Sequence, residues 1–283
     1  MRDRTLTSLA LVALTIAACG NTDGAADEPD PTTAATDGGI AVDEPPAAAD
    51  GRMGVIVDYS PTTSDVTALL YVSQHPAAEL LAVTLAGTGE SHCDRAVANT
   101  RALLALVDRP DVPVACGPEQ PVGPGNEWPA DWRDAADRLD GLDLAAVAST
   151  AANTDIDAID LLASTAADHD PVTIVALGPL TNLAAAVATR PDLAEHVAGI
   201  VTMGGAVDVD GNATNGAAEW NYFIDPTAVD VVLGSGIPVT MVPLDATNSV
   251  PVTRAWFDAL VGHRTTAAAD AVHDLFAASR PYD

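Results

Sequence analysis

The sequence predicts an α/β protein with one folded domain, built on an open, mainly parallel sheet with helices on both faces. Short apolar runs rich in β-branched residues recur along the chain, and Ala- and Leu-rich stretches with helical spacing separate most of them. The runs are continuously apolar rather than alternating, which is typical of parallel strands buried on both faces. The predicted strands span residues 54–57, 80–85, 112–115, 172–176, 199–203 and 238–242.

Helix signals lie between these strands. Asp65 is the predicted N-cap of a helix that ends before His75-Pro76, and residues 95–107 form the next predicted helix. Residues 181–188 and 227–233 follow the same pattern, and Asp225-Pro226 places a proline at the first turn of the last of these helices.

The N-terminus predicts export. Residues 1–19 read as a lipoprotein signal peptide: two early arginines, an apolar run too short to span a membrane, and small residues before Cys19. Lipidation of the Cys19 thiol would anchor the protein at the bacterial cell envelope, with no other contact with the membrane. The alternative is a secretory signal that is cut nearby and leaves Cys19 as an unpaired thiol.

Residues 20–51 predict a disordered tether. They contain eight acids and four prolines but no basic residue, so they cannot bury enough apolar surface to fold. The folded domain is predicted at 52–283, long enough for a sizeable core. The net charge is −28, and all twelve basic residues are arginine, which disfavours nucleic acid and anionic lipid as partners.

Two cysteines remain once Cys19 is assigned to lipid. In an oxidising compartment Cys93 and Cys116 are candidates for a disulfide. The alternative is that both are buried thiols, because sequence spacing does not show whether their Cα atoms come within reach.

The chemistry is predicted at the carboxyl ends of the strands, where α/β sheets bind ligands. Polar residues follow most of the predicted strands, beginning with Asp58 and ending with Asp245. Carboxylate, amide and carbonyl oxygens suit Ca²⁺ or Mg²⁺, and no His or Cys spacing supports zinc. The sequence has no Gly-x-Ser-x-Gly elbow, and Gly204-Gly205 lacks the third glycine of a dinucleotide fingerprint.

These polar ends belong to eight segments in a characteristic order: residues 57–65, 81–87, 176–182, 203–205, 211–212, 219–221, 225–226 and 243–248. Together they resemble the inosine/uridine-preferring nucleoside hydrolases over about residues 53–283. The chain ends at Asp283, earlier than the resemblance leads us to expect, so a closing helix or strand is predicted to be missing.

The resemblance implies hydrolysis of the N-glycosidic bond of a ribonucleoside, assisted by Ca²⁺, through an oxocarbenium-like transition state. It implies that Asp65, Asp245 and the Leu177 carbonyl hold the metal ion and that the general base belongs at position 60. It also implies a homo-oligomer. The residues implied to contact the ribonucleoside or ribose are Ser64, Thr88, Met203, Asn212, Glu219 and Asn221.

The first loop departs from the family signature Asp-x-Asp-x-x-x-Asp-Asp, whose four acidic positions are here Asp58, Ser60, Ser64 and Asp65. Ser60 cannot serve as a base near neutral pH, and the alternative base is Asp58. Because a general base contributes about 10²–10⁴ in rate, the two serines predict weak or absent hydrolysis and weak or absent Ca²⁺ binding. The alternatives are therefore a hydrolase, a ribonucleoside-binding lipoprotein that has lost catalysis, and a partner-binding surface protein.

Overall fold

A computed structural model describes residues 51–142, 144 and 156–279. These residues form one α/β domain around a six-stranded sheet in which every neighbouring pair of strands is parallel. The predicted fold class is confirmed. The strands are β1 Met53–Tyr59, β2 Ala78–Leu85, β3 Val114–Cys116, β4 Val172–Ala176, β5 Val197–Met203 and β6 Val239–Val242.

The strand order is β3-β2-β1-β4-β5-β6, so the chain moves outward from β1 in one direction and then from β4 in the other. This reversal leaves a crevice beyond the carboxyl ends of β1 and β4, which is where doubly wound sheets bind ligands. The crevice is flanked by the loop that begins at Ser60 and by Leu177-Gly178. A Cβ added to Gly178 would lie 3.4 Å from the Ser60 nitrogen, so the two segments approach closely.

The helices cover both faces of the sheet, as predicted. Alternate residues of β1 enter different cores: Val55, Val57 and Tyr59 pack on one face, and Ile56 packs on the other. The helices are α1 Thr63–Gln74, α2 Cys93–Leu106, α3 Ala130–Asp137, α4 Ala158–Asp168, α5 Thr181–Thr189, α6 Leu193–His196, α7 Trp220–Ile224, α8 Pro226–Leu233, α9 Leu244–Thr247, α10 Arg254–Val261 and α11 Ala267–Ser279.

Two local predictions near the first loop are wrong. Strand β1 does not end at Asp58 but continues to Tyr59, because the backbone still pairs with β2 at that position. The cap of α1 is Thr62 rather than Asp65: the Thr62 hydroxyl accepts the Asp65 N–H, and Asp65 lies inside the first turn. The other predicted helix ends lie within about two residues of those in the structure, and Asp225 is the cap of α8 with Pro226 in its first turn.

The predicted signal peptide, the lipidation site Cys19 and the tether up to residue 50 lie outside the described residues, as does the C-terminal end from residue 280. Within the described part of the chain, no helix is both long and apolar enough to cross a membrane.

Candidate active site

Ser60 lies at the start of the loop between β1 and α1 and is 3 % exposed. Its Oγ accepts hydrogen bonds from the backbone N–H groups of Glu90, at 2.8 Å, and Ser91, at 3.4 Å. The loop after β2 therefore lies directly against this hydroxyl, and a Cβ on Gly89 would come within 2.5 Å of it. The position that the resemblance assigns to a general base thus holds a neutral group that faces two backbone donors.

Asp58 lies in β1, two residues before Ser60, and is fully buried. Its Oδ1 accepts a hydrogen bond of 2.7 Å from Thr84 Oγ1 and another of 2.7 Å from Asn182 Nδ2, while Oδ2 has no hydrogen-bond partner among the described residues. Burial raises the pKa of Asp58 to about 7, although both hydrogen bonds lower it. Asp58 is therefore part of a network that joins β1, β2 and α5.

Asp65 and Ser64 form the inner side of the first turn of α1. Burial raises the pKa of Asp65 well above its usual range, and the nearby negative charge of Glu90 raises it further. Ser64 Oγ lies 3.5 Å from Asp65 Oδ1 and 3.2 Å from Thr62 Oγ1. Asp65 thus remains the one buried acid of this turn, and the carboxylate whose charge it senses comes from the loop after β2.

Glu219 and Asn221 stand at the start of α7. Glu219 caps the helix: Oε1 accepts Asn221 N–H at 2.8 Å, and Oε2 accepts Tyr222 N–H and Gly205 N–H, each at 3.2 Å. Burial raises the pKa of Glu219 to about 7, although the three N–H groups lower it. Glu219 is therefore also the N-cap of α7, a five-residue helix that begins directly after it.

Asn221 joins two strand ends. Its Nδ2 donates to the Leu177 carbonyl at 2.9 Å and to the Met203 carbonyl at 3.2 Å, and it lies 3.4 Å from the Met203 sulfur. Asn212 is exposed, and its Oδ1 accepts the Trp220 N–H at 3.1 Å. The structure therefore brings Leu177, Met203, Glu219 and Asn221 together around the carboxyl ends of β4 and β5.

Asp245 lies at the start of α9 with both carboxylate oxygens occupied. Oδ2 accepts Val207 N–H at 2.9 Å and Oδ1 accepts Asp208 N–H at 2.7 Å, and these two bonds hold its pKa below the usual range. Both oxygens of Asp245 are thus engaged by the backbone of the segment after β5, and the negative charge that raises the pKa of Asp65 is that of Glu90.

These donors do not fit a Ca²⁺ cage. Ca²⁺ takes six to eight oxygen ligands, several of them carboxylate. Among residues 51–142, 144 and 156–279, no three His, Cys, Asp or Glu side chains are grouped closely enough to hold a metal ion. The Leu177 carbonyl accepts Asn221 and keeps one lone pair, whereas Ser60 supplies a neutral hydroxyl that already accepts two N–H groups.

Thr88 connects the crevice with a cluster of tryptophans. Its carbonyl accepts Trp128 Nε1–H at 3.1 Å, and Trp128 stacks on Trp220 with ring centroids 5.0 Å apart. Trp132 packs against the same indole at 5.2 Å. The packing of Trp128 and Trp132 therefore extends to α7, the helix that carries Asn221 and is capped by Glu219.

Cys93 and Cys116 form a disulfide, with Cα atoms 5.7 Å apart. It joins the start of α2 to the end of β3, directly before Gly117. A Cβ on Gly117 would overlap Asn182 Oδ1, so only glycine permits this contact. The disulfide thus holds the β3 end against the residue that donates to Asp58.

Sequence patterns gave no reason to include Glu90 in the site, and they did not show that Thr84 donates to Asp58. Both residues come close to the end of β1 because β2 pairs with β1, and a contact between two strand ends leaves no periodic signal in the sequence. Asn182 and Asp225 belonged to the family-like segments, but their partners followed only from the packing of α5 and α8.

A crevice at the switch point of a doubly wound sheet, lined by buried carboxylates and carboxamides, is the place where α/β proteins of this class bind small molecules. The family model of the inosine-uridine preferring nucleoside hydrolases matches residues 55–282, and the chain belongs to this family.

The chain is 38% identical over 205 residues to the pyrimidine-specific ribonucleoside hydrolase RihA of Shewanella oneidensis, covering 70% of this chain and 61% of that protein. Similar solved structures include an inosine-uridine preferring nucleoside hydrolase from Bacillus anthracis, with a TM-score of 0.73, 25% identity and coverage of 80% of this chain and 76% of that one. The plant nucleoside hydrolase PpNRh1 gives a TM-score of 0.70 with 31% identity, covering 80% and 70%. The chain thus spans about three fifths of the length of the curated relative.

Proposed function

We propose that the chain binds ribonucleosides at the carboxyl edge of its sheet and hydrolyses their N-glycosidic bond, at a rate far below that of a site with a carboxylate at position 60. The names of its relatives as ribonucleoside hydrolases support the reaction. The low rate follows from the environment of Ser60, whose hydroxyl accepts two backbone N–H groups at the switch point. A hydroxyl does not remove a proton from water near neutral pH, and a missing general base costs about 10²–10⁴ in rate.

The remaining residues favour the transition state by electrostatics. Cleavage of the N-glycosidic bond makes the ribose ring oxocarbenium-like, and negative groups fixed nearby stabilise that positive charge. Asp65 and Glu219 are the buried acids at this edge of the sheet, and each stabilises that charge only in its ionised form. Burial and the charge of Glu90 raise the pKa of Asp65 well above its usual range, which lowers its ionised fraction. Because burial raises the pKa of Glu219 to about 7, this acid is only partly ionised at neutral pH.

A second candidate is ribonucleoside binding without turnover. It is favoured by the contrast between the two halves of the site: Glu219 and Asn221 are ordered by hydrogen bonds, whereas the first loop has serine at two positions where the family signature has acids. Such a chain would retain recognition of ribose after losing the groups that act on water.

Binding and product release by the full chain distinguish the two candidates. Inosine and uridine are both tested, and free base is measured by chromatography while affinity is measured by calorimetry. Asn221→Ala removes the link between β4 and β5. The control is Asn215→Ala, at an exposed asparagine of the loop before α7 whose Oδ1, within the described part of the chain, accepts only the N–H groups of Ala217 and Ala218. Base release that Asn221→Ala abolishes supports the hydrolase, and binding without release supports the second candidate. If neither nucleoside binds or is cleaved, both are rejected.

Calcium binding is proposed to be weak, with a dissociation constant no tighter than about 10⁻⁴ M, because the described acids do not form a cage. Calorimetric titration of the full chain with CaCl₂ tests this. Micromolar affinity would show that other residues complete the site.

Export and lipid anchoring through Cys19 are proposed on the N-terminal pattern alone. Radiolabelled palmitate incorporated in cells, and lost in Cys19→Ser, would support this location, whereas a soluble exported product would contradict it. A homo-oligomer is proposed from the family resemblance, and light scattering of the full chain tests it.

A further inference from the structure

Hydrogen bonds connect three buried polar side chains in a row from the start of α8 to the crevice. Asp225 Oδ2 accepts a hydrogen bond of 2.7 Å from Thr181 Oγ1, and Thr181 Oγ1 lies 2.8 Å from Thr88 Oγ1. The three residues are 0 %, 1 % and 5 % exposed, so water does not compete for these bonds. Both bonds are short and buried, and such bonds fix the positions of their hydrogen atoms.

The donor in each of these hydrogen bonds follows from the number of hydroxyl protons that the three side chains have. Asp225 also accepts Val122 N–H at 2.9 Å and Ala228 N–H at 3.0 Å, so its two oxygens receive three donors. An ionised carboxylate only accepts, and a threonine hydroxyl has a single proton to give. Thr181 gives that proton to Asp225. The bond between the two threonines must therefore be donated by Thr88.

Thr88 is left as an acceptor. Its one proton points to Thr181, so only its lone pairs are available to a ligand. A carboxamide side chain at this position would offer N–H donors as well as an acceptor.

We propose that Asp225 is a positioning residue which, through Thr181, turns Thr88 into a hydrogen-bond acceptor, so that the site selects a sugar hydroxyl able to donate a proton. The selection of a ligand rests on the proposed function, whereas the donor–acceptor order of the hydrogen bonds among Asp225, Thr181 and Thr88 does not. A nucleoside analogue whose sugar hydroxyl is replaced by a group that only accepts cannot donate to Thr88. It therefore loses the same hydrogen bond as an analogue in which hydrogen replaces the hydroxyl.

The first experiment locates the protons without a ligand. Neutron diffraction from crystals of the deuterated full chain is expected to show the Thr181 deuteron directed at Asp225 and the Thr88 deuteron directed at Thr181. A Thr181 deuteron directed at Thr88, or a deuteron on Asp225, overturns the inference.

The second experiment measures affinity for uridine and for analogues in which the 2′- or the 3′-hydroxyl is replaced by hydrogen or by fluorine. At the position that Thr88 contacts, both replacements are expected to weaken binding about tenfold and equally. Thr181→Val frees the Thr88 proton and is expected to make the fluoro analogue bind more tightly than the deoxy analogue, while Thr181→Ser keeps the parent order. Thr189→Val, at an exposed threonine of the same helix, is the control.

The outcomes separate the two proposals. A fluoro analogue that binds the parent chain as well as uridine at both positions overturns the inference and leaves the proposed function intact. If no ribonucleoside binds, the proposed function and the selection of ligands are both rejected, and the neutron map alone decides the direction of the hydrogen bonds.

Discussion

Replacing Ser60 by aspartate should restore part of the missing catalysis. The Ser60 Oγ is 2.8 Å from the Glu90 nitrogen and 3.4 Å from the Ser91 nitrogen, so two N–H donors already face the place where a carboxylate oxygen would lie. A general base contributes about 10²–10⁴ in rate, which corresponds to a barrier about 3–5 kcal/mol lower. We expect base release from inosine or uridine to rise by at least about 10²-fold in Ser60→Asp.

The same change should destabilise the fold. A new buried carboxylate close to Asp65 and Glu90 adds desolvation and like-charge repulsion, and two charge-assisted hydrogen bonds offset only part of this. We expect the free energy of unfolding, measured in urea, to fall by about 1–3 kcal/mol.

Ser60→Asn is the matched control, since it has nearly the same shape but no basic group. Ser60→Asp combined with Ser64→Asp tests whether the second serine limits the site. If Ser60→Asp folds and releases base no faster than Ser60→Asn, alone or with Ser64→Asp, then a missing base is not what limits hydrolysis and the reasoning is refuted.

Three further predictions concern stability and charge. A raised carboxyl pKa means that the folded protein holds a proton which the unfolded chain has released. The free energy of unfolding should therefore fall as pH rises from about 4.5 to about 7, with Glu219 contributing about 1 kcal/mol per pH unit. Glu219→Gln should flatten this slope in urea titrations, and an unchanged slope would contradict the effect of burial on the Glu219 pKa. Glu90→Gln removes the like charge beside Asp65 and should raise the free energy of unfolding at pH 7 by about 0.5–1 kcal/mol. The control is Glu119→Gln at an exposed site, and a loss of stability in Glu90→Gln would show that Glu90 makes a net favourable contact rather than repelling Asp65. Reducing the Cys93–Cys116 disulfide, which spans 23 positions, should lower the free energy of unfolding by about 2–4 kcal/mol, and Cys93→Ser with Cys116→Ser should be insensitive to reductant.

The sheet was predictable because it depends on a strong local signal. Strands buried on both faces are continuously apolar, and each of the six predicted runs overlaps a strand of the structure. The ends were less predictable: Tyr59 stays in β1 because β2 continues beside it, and that pairing is not encoded in the local sequence.

The candidate site was predicted in outline and missed in detail. Ser60 and Glu219 were assigned from motifs, and the structure places them at the expected edge of the sheet. Their partners are backbone N–H groups of residues 90, 91 and 205, and any residue type supplies the same N–H. The sequence therefore cannot show such partners, and a helix of only five residues gives too short a pattern to show that Glu219 caps it.

The tryptophan cluster gives this protein an intrinsic optical probe. The chain has four tryptophans, and three of them lie in one group beside Thr88 and α7, while Trp256 lies on α10 against Phe276. Because three of the four indoles are packed together, most of the tryptophan emission should come from one place next to the crevice. Fluorescence of the unlabelled chain should therefore report ligand entry, and Trp256→Phe would remove the emission of the indole on α10.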